Sequence, residues 1–154
     1  MNIRELLKNV DYQSLHGAVE REVSNLTYDS RQVTAGSCFF AIEGVAADGH
    51  NYINSAVEKG ATVVICKRLV EGADTERATH IVVEDTDKAM ALVASNFYGN
   101  PSRKITVVGV TGTNGKTTIA TLLYDLVRAM GHKAGLISTV VYKVDDEQIE
   151  STHT

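Results

Sequence analysis

Proline is nearly missing from this chain: a single residue, Pro101, stands among 154. Breaks between elements must therefore fall at glycines and short polar clusters, and YGNPSRK (residues 98–104), around that proline, is the expected domain boundary. Cysteine is almost as scarce. Cys38 and Cys66 each stand alone in an apolar run with no CxxC spacing, which predicts two buried, reduced thiols. The five histidines are scattered and form no HExxH-like pair, so a metal held entirely by protein side chains is not expected. Positive charge is not in excess either. Fifteen Lys and Arg against 19 Asp and Glu leave a net charge of −4, with no general electrostatic pull toward nucleic acid or an anionic membrane. No apolar run approaches the ~18 residues of a membrane span. The opening MNIRELLKNVDYQ carries charge too early and too often for a secretory segment. These absences point to a cytoplasmic protein without membrane insertion.

What the chain does have is 44% hydrophobic residues, enough for a packed core. The β-branched runs CFFAI (38–42), ATVVIC (61–66), HIVVE (80–84), ITVVGV (105–110) and AGLISTV (134–140) predict strands. Several are apolar at successive positions, as in a sheet covered on both faces. Between them, YINSAVEKG, TDKAMALVASNFYG and KTTIATLLYDLVRAMG predict helices ended by Gly60, Gly99 and Gly131. In the last helix, Leu122, Leu126 and Met130, flanked by Leu123 and Val127, form one apolar stripe. VVYKVDDEQIE (140–150) predicts a hairpin turning near Asp145 and Asp146. The fold class is α/β: a small amino-terminal domain over residues 1–100, then the first strand–helix–strand part of a phosphate-loop domain over residues 101–154. A parallel unit covered on both faces needs more elements than those last fifty residues hold, so the second domain is expected to be truncated.

One segment carries specific chemistry. In VVGVTGTNGKTTIATLLYDLV (107–127), a predicted strand runs through Gly112 and Gly115 into Lys116, Thr117 and Thr118 at a helix start. Glycines let main-chain N–H groups converge on an anion, and the helix start adds free N–H groups and the positive end of its dipole. Lys116 offers a mobile positive charge to the outer phosphates, Thr117 an oxygen for Mg²⁺, and Thr118 a further hydrogen bond. A plain turn needs neither the lysine nor two threonines. The spacing departs from G-x-x-x-x-G-K-[ST] in one respect: position 110 is Val110, with Gly109 one residue early. ATP is preferred over GTP, since no guanine-reading segment is visible.

TGTNGKTT (111–118) resembles the nucleotide loop of the Mur ligases, which share that shift. Upstream, LTYDSRQVTAGSCFFAIEGVAADGHNYINSAVEKGATVVI (26–65) is similar to the UDP-binding domain of the MurE type, the UDP-N-acetylmuramoyl-dipeptide ligases. The matching residues are Asp29-Ser30-Arg31, Gly36, Phe40-Ala41, Gly44, Asp48-Gly49-His50, Tyr52-Ile53 and Gly60-Ala61. The MurF type shares much of this segment, but its loop usually lacks the Thr113-Asn114 pair.

The resemblance implies an ATP-dependent, amide-forming ligase of peptidoglycan precursor synthesis, acting through an acyl phosphate. It would add meso-diaminopimelate or L-lysine to UDP-MurNAc-L-Ala-D-Glu, with Mg²⁺ as cofactor, and a monomer is expected. By position, Gly112, Thr113, Asn114, Gly115, Lys116, Thr117 and Thr118 would hold ATP, with Lys116 catalytic and Thr117 a Mg²⁺ ligand. Tyr28, Ser30, Val45, Ala46, Ala47, His153 and Thr154 would contact the UDP-MurNAc peptide. Val45, Ala46 and Ala47 are small and apolar, so polar contacts there would come from main chain. His50 is open between a structural tie and a ligand contact, and Asp29-Ser30-Arg31 reads on its own as an ion-paired turn. Two other readings stay open: a stand-alone nucleotide-sugar module, and a small phosphate-loop kinase or GTPase. The kinase or GTPase would need an acidic second-metal motif after the loop, and none stands out.

Overall fold

The computed structural model describes residues 1–44 and 47–150. Val45, Ala46, His153 and Thr154, four of the expected binding residues, lie outside the described residues. The chain divides into two compact units, Met1–Ile105 and Thr106–Thr154.

The first unit opens with α1 (Ile3–Leu6), β1 (Ser14–His16), β2 (Asn25–Thr27) and β3 (Ser37–Phe40). A 3₁₀ turn at Gly49–Tyr52 leads into α2 (Ile53–Glu58), followed by β4 (Ala61–Cys66), β5 (Thr79–Val82) and α3 (Thr86–Phe97). The sheet order is β1-β5-β4-β3-β2. Strands β2 to β5 run parallel, and β1 closes one edge antiparallel to β5.

The unbroken apolar runs follow from cover on both faces. Cys38, Phe40, Val63, Ile65 and Ile81 join Ile3 and Leu6 of α1 and Val93 of α3 in one core. Their neighbours Phe39, Ala41, Val64 and Cys66 join Ile53, Ala56 and Val57 of α2 in the other. Period-two alternation thus feeds two cores from the same strands. It also puts Cys38 and Cys66 on opposite faces of the sheet, both buried and free, as expected. Helix α3 is held at its start by Asp85, whose carboxylate accepts from the Lys88 N–H at 2.9 Å. Its end is a Schellman closure: the Asn100 N–H donates to the Ser95 carbonyl and the Gly99 N–H to that of Asn96.

The second unit packs α4 (Lys116–Ala129) with a three-stranded antiparallel sheet, β6 (Gly135–Ile137), β7 (Val141–Val144) and β8 (Glu147–Glu150). The hairpin turns at Asp145 and Asp146, where the sequence places it. Arg128 of α4 pairs with both carboxylates, at 3.1 Å and 2.8 Å. The Tyr124 hydroxyl donates to the Asp145 carbonyl.

Two expectations need correction here. Residues 105–110 form no strand, and Ile105, Val107 and Val108 are exposed. A β-branched run becomes a strand only beside a partner ladder, and this run has none among the described residues. The strand expected at 134–140 shrinks to Gly135–Ile137 and pairs antiparallel with β7, so the second unit forms no parallel pair among the described residues. The apolar stripe of Leu122, Leu126 and Met130 is exposed, and Tyr124 is the buried residue of α4.

Candidate functional sites

In the first unit a cleft of about 580 Å³ opens beyond the carboxyl ends of β2 and β3, the end where parallel sheets bind ligands. Tyr28, Asp29, Ser30 and Arg31, after β2, form one wall. Ile42, Gly44, Ala47, Gly49 and Tyr52, after β3, form the other. Each expected UDP-site residue within the described part, Tyr28, Ser30 and Ala47, lines this cleft.

The first wall is a pinned turn. The Asp29 carboxylate accepts from the Arg31 main-chain N–H at 2.9 Å and from its guanidinium at 2.9 and 2.8 Å. These bonds from Arg31, side chain first, hold the Asp29 carboxyl down at about 2. Lys59, beyond α2, reaches across to donate to the Ser30 carbonyl at 2.9 Å. The ion-paired turn and the cleft wall are therefore the same residues.

The second wall is pinned at its base. Glu43 and Asp48 pair across its base as an antiparallel bridge, and the Gly44 N–H donates to the Ala47 carbonyl at 3.0 Å. The Gly49 N–H donates to the Ile42 carbonyl at 2.8 Å. A Cβ on Gly49 would stand 2.7 Å from the Ile42 nitrogen, so the close approach of the two strands of main chain requires glycine.

Buried His50 ties this turn to the end of β4. Its Nε2 accepts from the Lys67 N–H at 3.0 Å, so the ring proton belongs on Nδ1, which donates to Asp48 Oδ1 at 2.6 Å. With both nitrogens satisfied by protein, His50 is a structural tie. Glu43, Asp48 and His50 lie close enough together to hold a cation. Lys67 and Arg68 already neutralise the two carboxylates, however, so the cluster is an ion-pair network. The His50 main-chain N–H is the leading cause of the Asp48 carboxyl's fall to about 2; that of Glu43 is lowered first by Lys67, then by Arg68.

In the second unit, residues 111–115 lead into α4. Gly115 caps the helix in the left-handed region at φ 75°, with open space where a Cβ would stand. Glycine is needed there for its dihedral rather than for room. The N–H groups of Lys116, Thr117 and Thr118 have no carbonyl one turn earlier within the helix. The Lys116 ammonium folds back to donate to the carbonyls of Gly112 at 2.6 Å and Thr113 at 3.3 Å. Loop glycines, free helix-start amides and an exposed ammonium over the same loop suit a chain of phosphates. Thr117 gives one hydroxyl that fits a Mg²⁺ ligand, the remaining positions falling to phosphate and water oxygens.

Sequence reasoning missed Glu43, Lys67 and Arg68, which buttress the cleft from outside. Glu43 and Arg68 are separated by 24 intervening residues, and only the β3–β4 pairing brings them together. Among the described residues no helix is long and apolar enough to cross a membrane.

Comparison with known proteins follows the same division. The family model described as "Mur ligase family, catalytic domain" matches residues 22–98, half of the chain, and "Mur ligase middle domain" matches residues 110–154. The UDP-N-acetylmuramoyl-L-alanyl-D-glutamate–2,6-diaminopimelate ligase of Parabacteroides distasonis is 48% identical over all of this chain and 32% of its own length. That of Clostridium acetobutylicum is 42% identical, with the same coverage. The chain thus spans about a third of the curated relatives it matches. A crystal structure of MurF ligase from Thermotoga maritima in complex with ADP is 35% identical, with a TM-score of 0.53, over 71% of this chain and 23% of that one. A solved diaminopimelate ligase superimposes over 96% of this chain and 29% of its own at a TM-score of 0.67 and 20% identity, a likeness of fold. With half its length under one Mur ligase model and its last 45 residues under another, the chain belongs to the Mur ligase family.

Proposed function

We propose that this chain supplies the two nucleotide sites of an ATP-dependent ligase that joins meso-diaminopimelate to UDP-MurNAc-L-Ala-D-Glu. The observation that carries the reading is the 48% and 42% identity to diaminopimelate ligases over the whole of this chain, which holds both candidate sites. The MurF likeness is weaker and covers less of the chain.

The first-unit cleft takes the UDP end. Tyr28 and Ser30 contact it from one side, and the main chain of Val45, Ala46 and Ala47 from the other. Residues 112–118 hold ATP, and His153 and Thr154 approach the peptide. A carboxylate oxygen of the peptide bonds to the terminal phosphorus of ATP as the bond to ADP breaks. The amine nitrogen then attacks the acyl carbon, phosphate leaves with the C–O electron pair, and the nitrogen sheds a proton to give the amide. Lys116 exchanges its loop carbonyls for phosphate oxygens and offsets charge on the transferring group. Mg²⁺, with Thr117 as one ligand, supplies further charge neutralisation when bound. Residues 1–100 form the UDP-binding domain and residues 101–154 begin the ATP-binding one.

The test is an assay of the complete protein for ADP release. Release that needs both UDP-MurNAc-L-Ala-D-Glu and diaminopimelate supports the reading. UDP-sugar binding without turnover by the complete protein would instead identify a binding module.

A further inference from the structure

We propose that Arg68 is a positioning residue for the nucleotide-sugar cleft: its guanidinium staples both feet of the Glu43–Asp48 turn and so presets the wall against which the ligand packs. The inference rests on the cleft being a uridine-diphosphate site, and it assigns the preorganisation of that site to side chains that do not line it.

The fork geometry of arginine is what makes the staple possible. One terminal nitrogen of Arg68 donates to Glu43 Oε1 at 2.6 Å and the other to Asp48 Oδ2 at 2.6 Å. Glu43 and Asp48 are the two residues paired across the base of the turn. Lys67 adds a bond to the other Glu43 oxygen at 2.9 Å, and its main-chain N–H holds His50, which in turn holds Asp48. Lys67 and Arg68 directly follow β4, a central strand bonded on both sides. The turn is thereby fastened to the most rigid part of the sheet, although Arg68 is not among the cleft's lining residues.

Such fastening acts on affinity through the fraction of time the wall is in place. A ligand that packs against Gly44, Ala47 and Gly49 sees its apparent dissociation constant divided by that fraction. The Arg68 side chain is half exposed, so its ion pairs contribute little to global stability. A local effect on the turn therefore separates cleanly from unfolding.

The test uses the 154-residue chain with UDP as probe, on Arg68→Met and Arg68→Lys. Three readouts are taken: the UDP dissociation constant, hydrogen exchange at the Gly44 and Gly49 amides, and Tm. For Arg68→Met the expected result is about tenfold weaker UDP binding and faster exchange at Gly44 and Gly49. Exchange in β3 and β4 stays unchanged, and Tm moves by less than about 4 °C. Arg68→Lys keeps the charge without the fork and recovers only part of the affinity. In a chain already carrying Glu43→Gln and Asp48→Asn, Arg68→Met costs little more, because its partners are gone.

Full recovery by lysine, or undiminished loss in the doubly neutralised background, would show direct attraction of phosphate and overturn the staple. Faster exchange with unchanged affinity would overturn it too. If the unaltered chain does not bind UDP, the nucleotide reading fails by itself. The exchange arm then still upholds or overturns Arg68 as the fastening of the turn.

Discussion

Gly49→Ala tests the geometry of the cleft with a single methyl group. A Cβ at this position meets the Ile42 nitrogen at 2.7 Å, the Ile42 oxygen at 2.8 Å and the Ala41 carbonyl carbon at 2.9 Å. All three are main-chain atoms following β3, so no side chain can swing away to make room. Either the bond from the Gly49 N–H to the Ile42 carbonyl lengthens or the turn leaves its place. Overpacking of this kind costs about 1–3 kcal/mol, which for a unit of this size lowers Tm by roughly 5–20 °C. The same displacement moves Gly44 and Ala47 at the cleft wall, so UDP binding should weaken by at least about tenfold. Gly72→Ala is the control. Its φ of 72° is unfavourable for alanine, whereas Gly49 has no positive φ; nothing lies within 4 Å of the carbon added at Gly72, and the cleft is not involved. It should cost about 1–2 kcal/mol of backbone strain and leave UDP affinity unchanged. Thermal melts and calorimetry on both variants decide the matter. A Gly49→Ala chain as stable as the original and binding UDP equally well would refute the packing argument.

Stability should fall with acid in two windows. Burial holds the His80 imidazole below its ordinary value of about 6.5, so the unfolded chain binds the extra proton first and stability declines as pH drops below that value. His80→Gln should flatten that first decline in urea midpoints measured against pH. The second window follows from Asp29 and Asp48, both held near 2, and from lowered Glu43. Their ionised pairs are intact above about pH 4, the free carboxylate value, and are lost as pH falls toward 2. A midpoint independent of pH between 7 and 3 would contradict both assignments. In the complete protein, Lys116→Ala should reduce turnover by at least about a hundredfold while leaving UDP-sugar binding within about twofold; equal losses would argue against its role at ATP. The 154-residue chain alone should form no amide from ATP, UDP-MurNAc-L-Ala-D-Glu and diaminopimelate, as coupled ADP release would check.

What could be read from the sequence depended on how local each signal was. The run ATVVIC became β4 residue for residue, because both faces of a central strand are apolar and nothing competes with that pattern. SLH and NLT are three-residue edge strands, too short to show a period, and neither is among the expected strands. ITVVGV has the stronger β propensity and stays out of any sheet, since propensity cannot supply the neighbouring strand. The candidate phosphate loop was legible because its glycines, lysine and threonines fall within eight residues. The Asp29-Ser30-Arg31 turn was legible as a turn, but its place on the cleft came only through resemblance and then through the fold. Arg68 was invisible: a surface arginine carries no mark in sequence, and its meaning depends on the register that sets β4 beside β3.

The most direct test of the central claim is a structure of the complete protein with UDP and a non-hydrolysable ATP analogue bound together. Uracil and diphosphate should lie between Tyr28–Arg31 and the Gly44–Gly49 turn, with the ATP phosphates against the main-chain N–H groups of residues 112–118 and the Lys116 ammonium turned from Gly112 toward them. ATP bound elsewhere with Lys116 still on the Gly112 carbonyl, or UDP outside the cleft, would contradict the account.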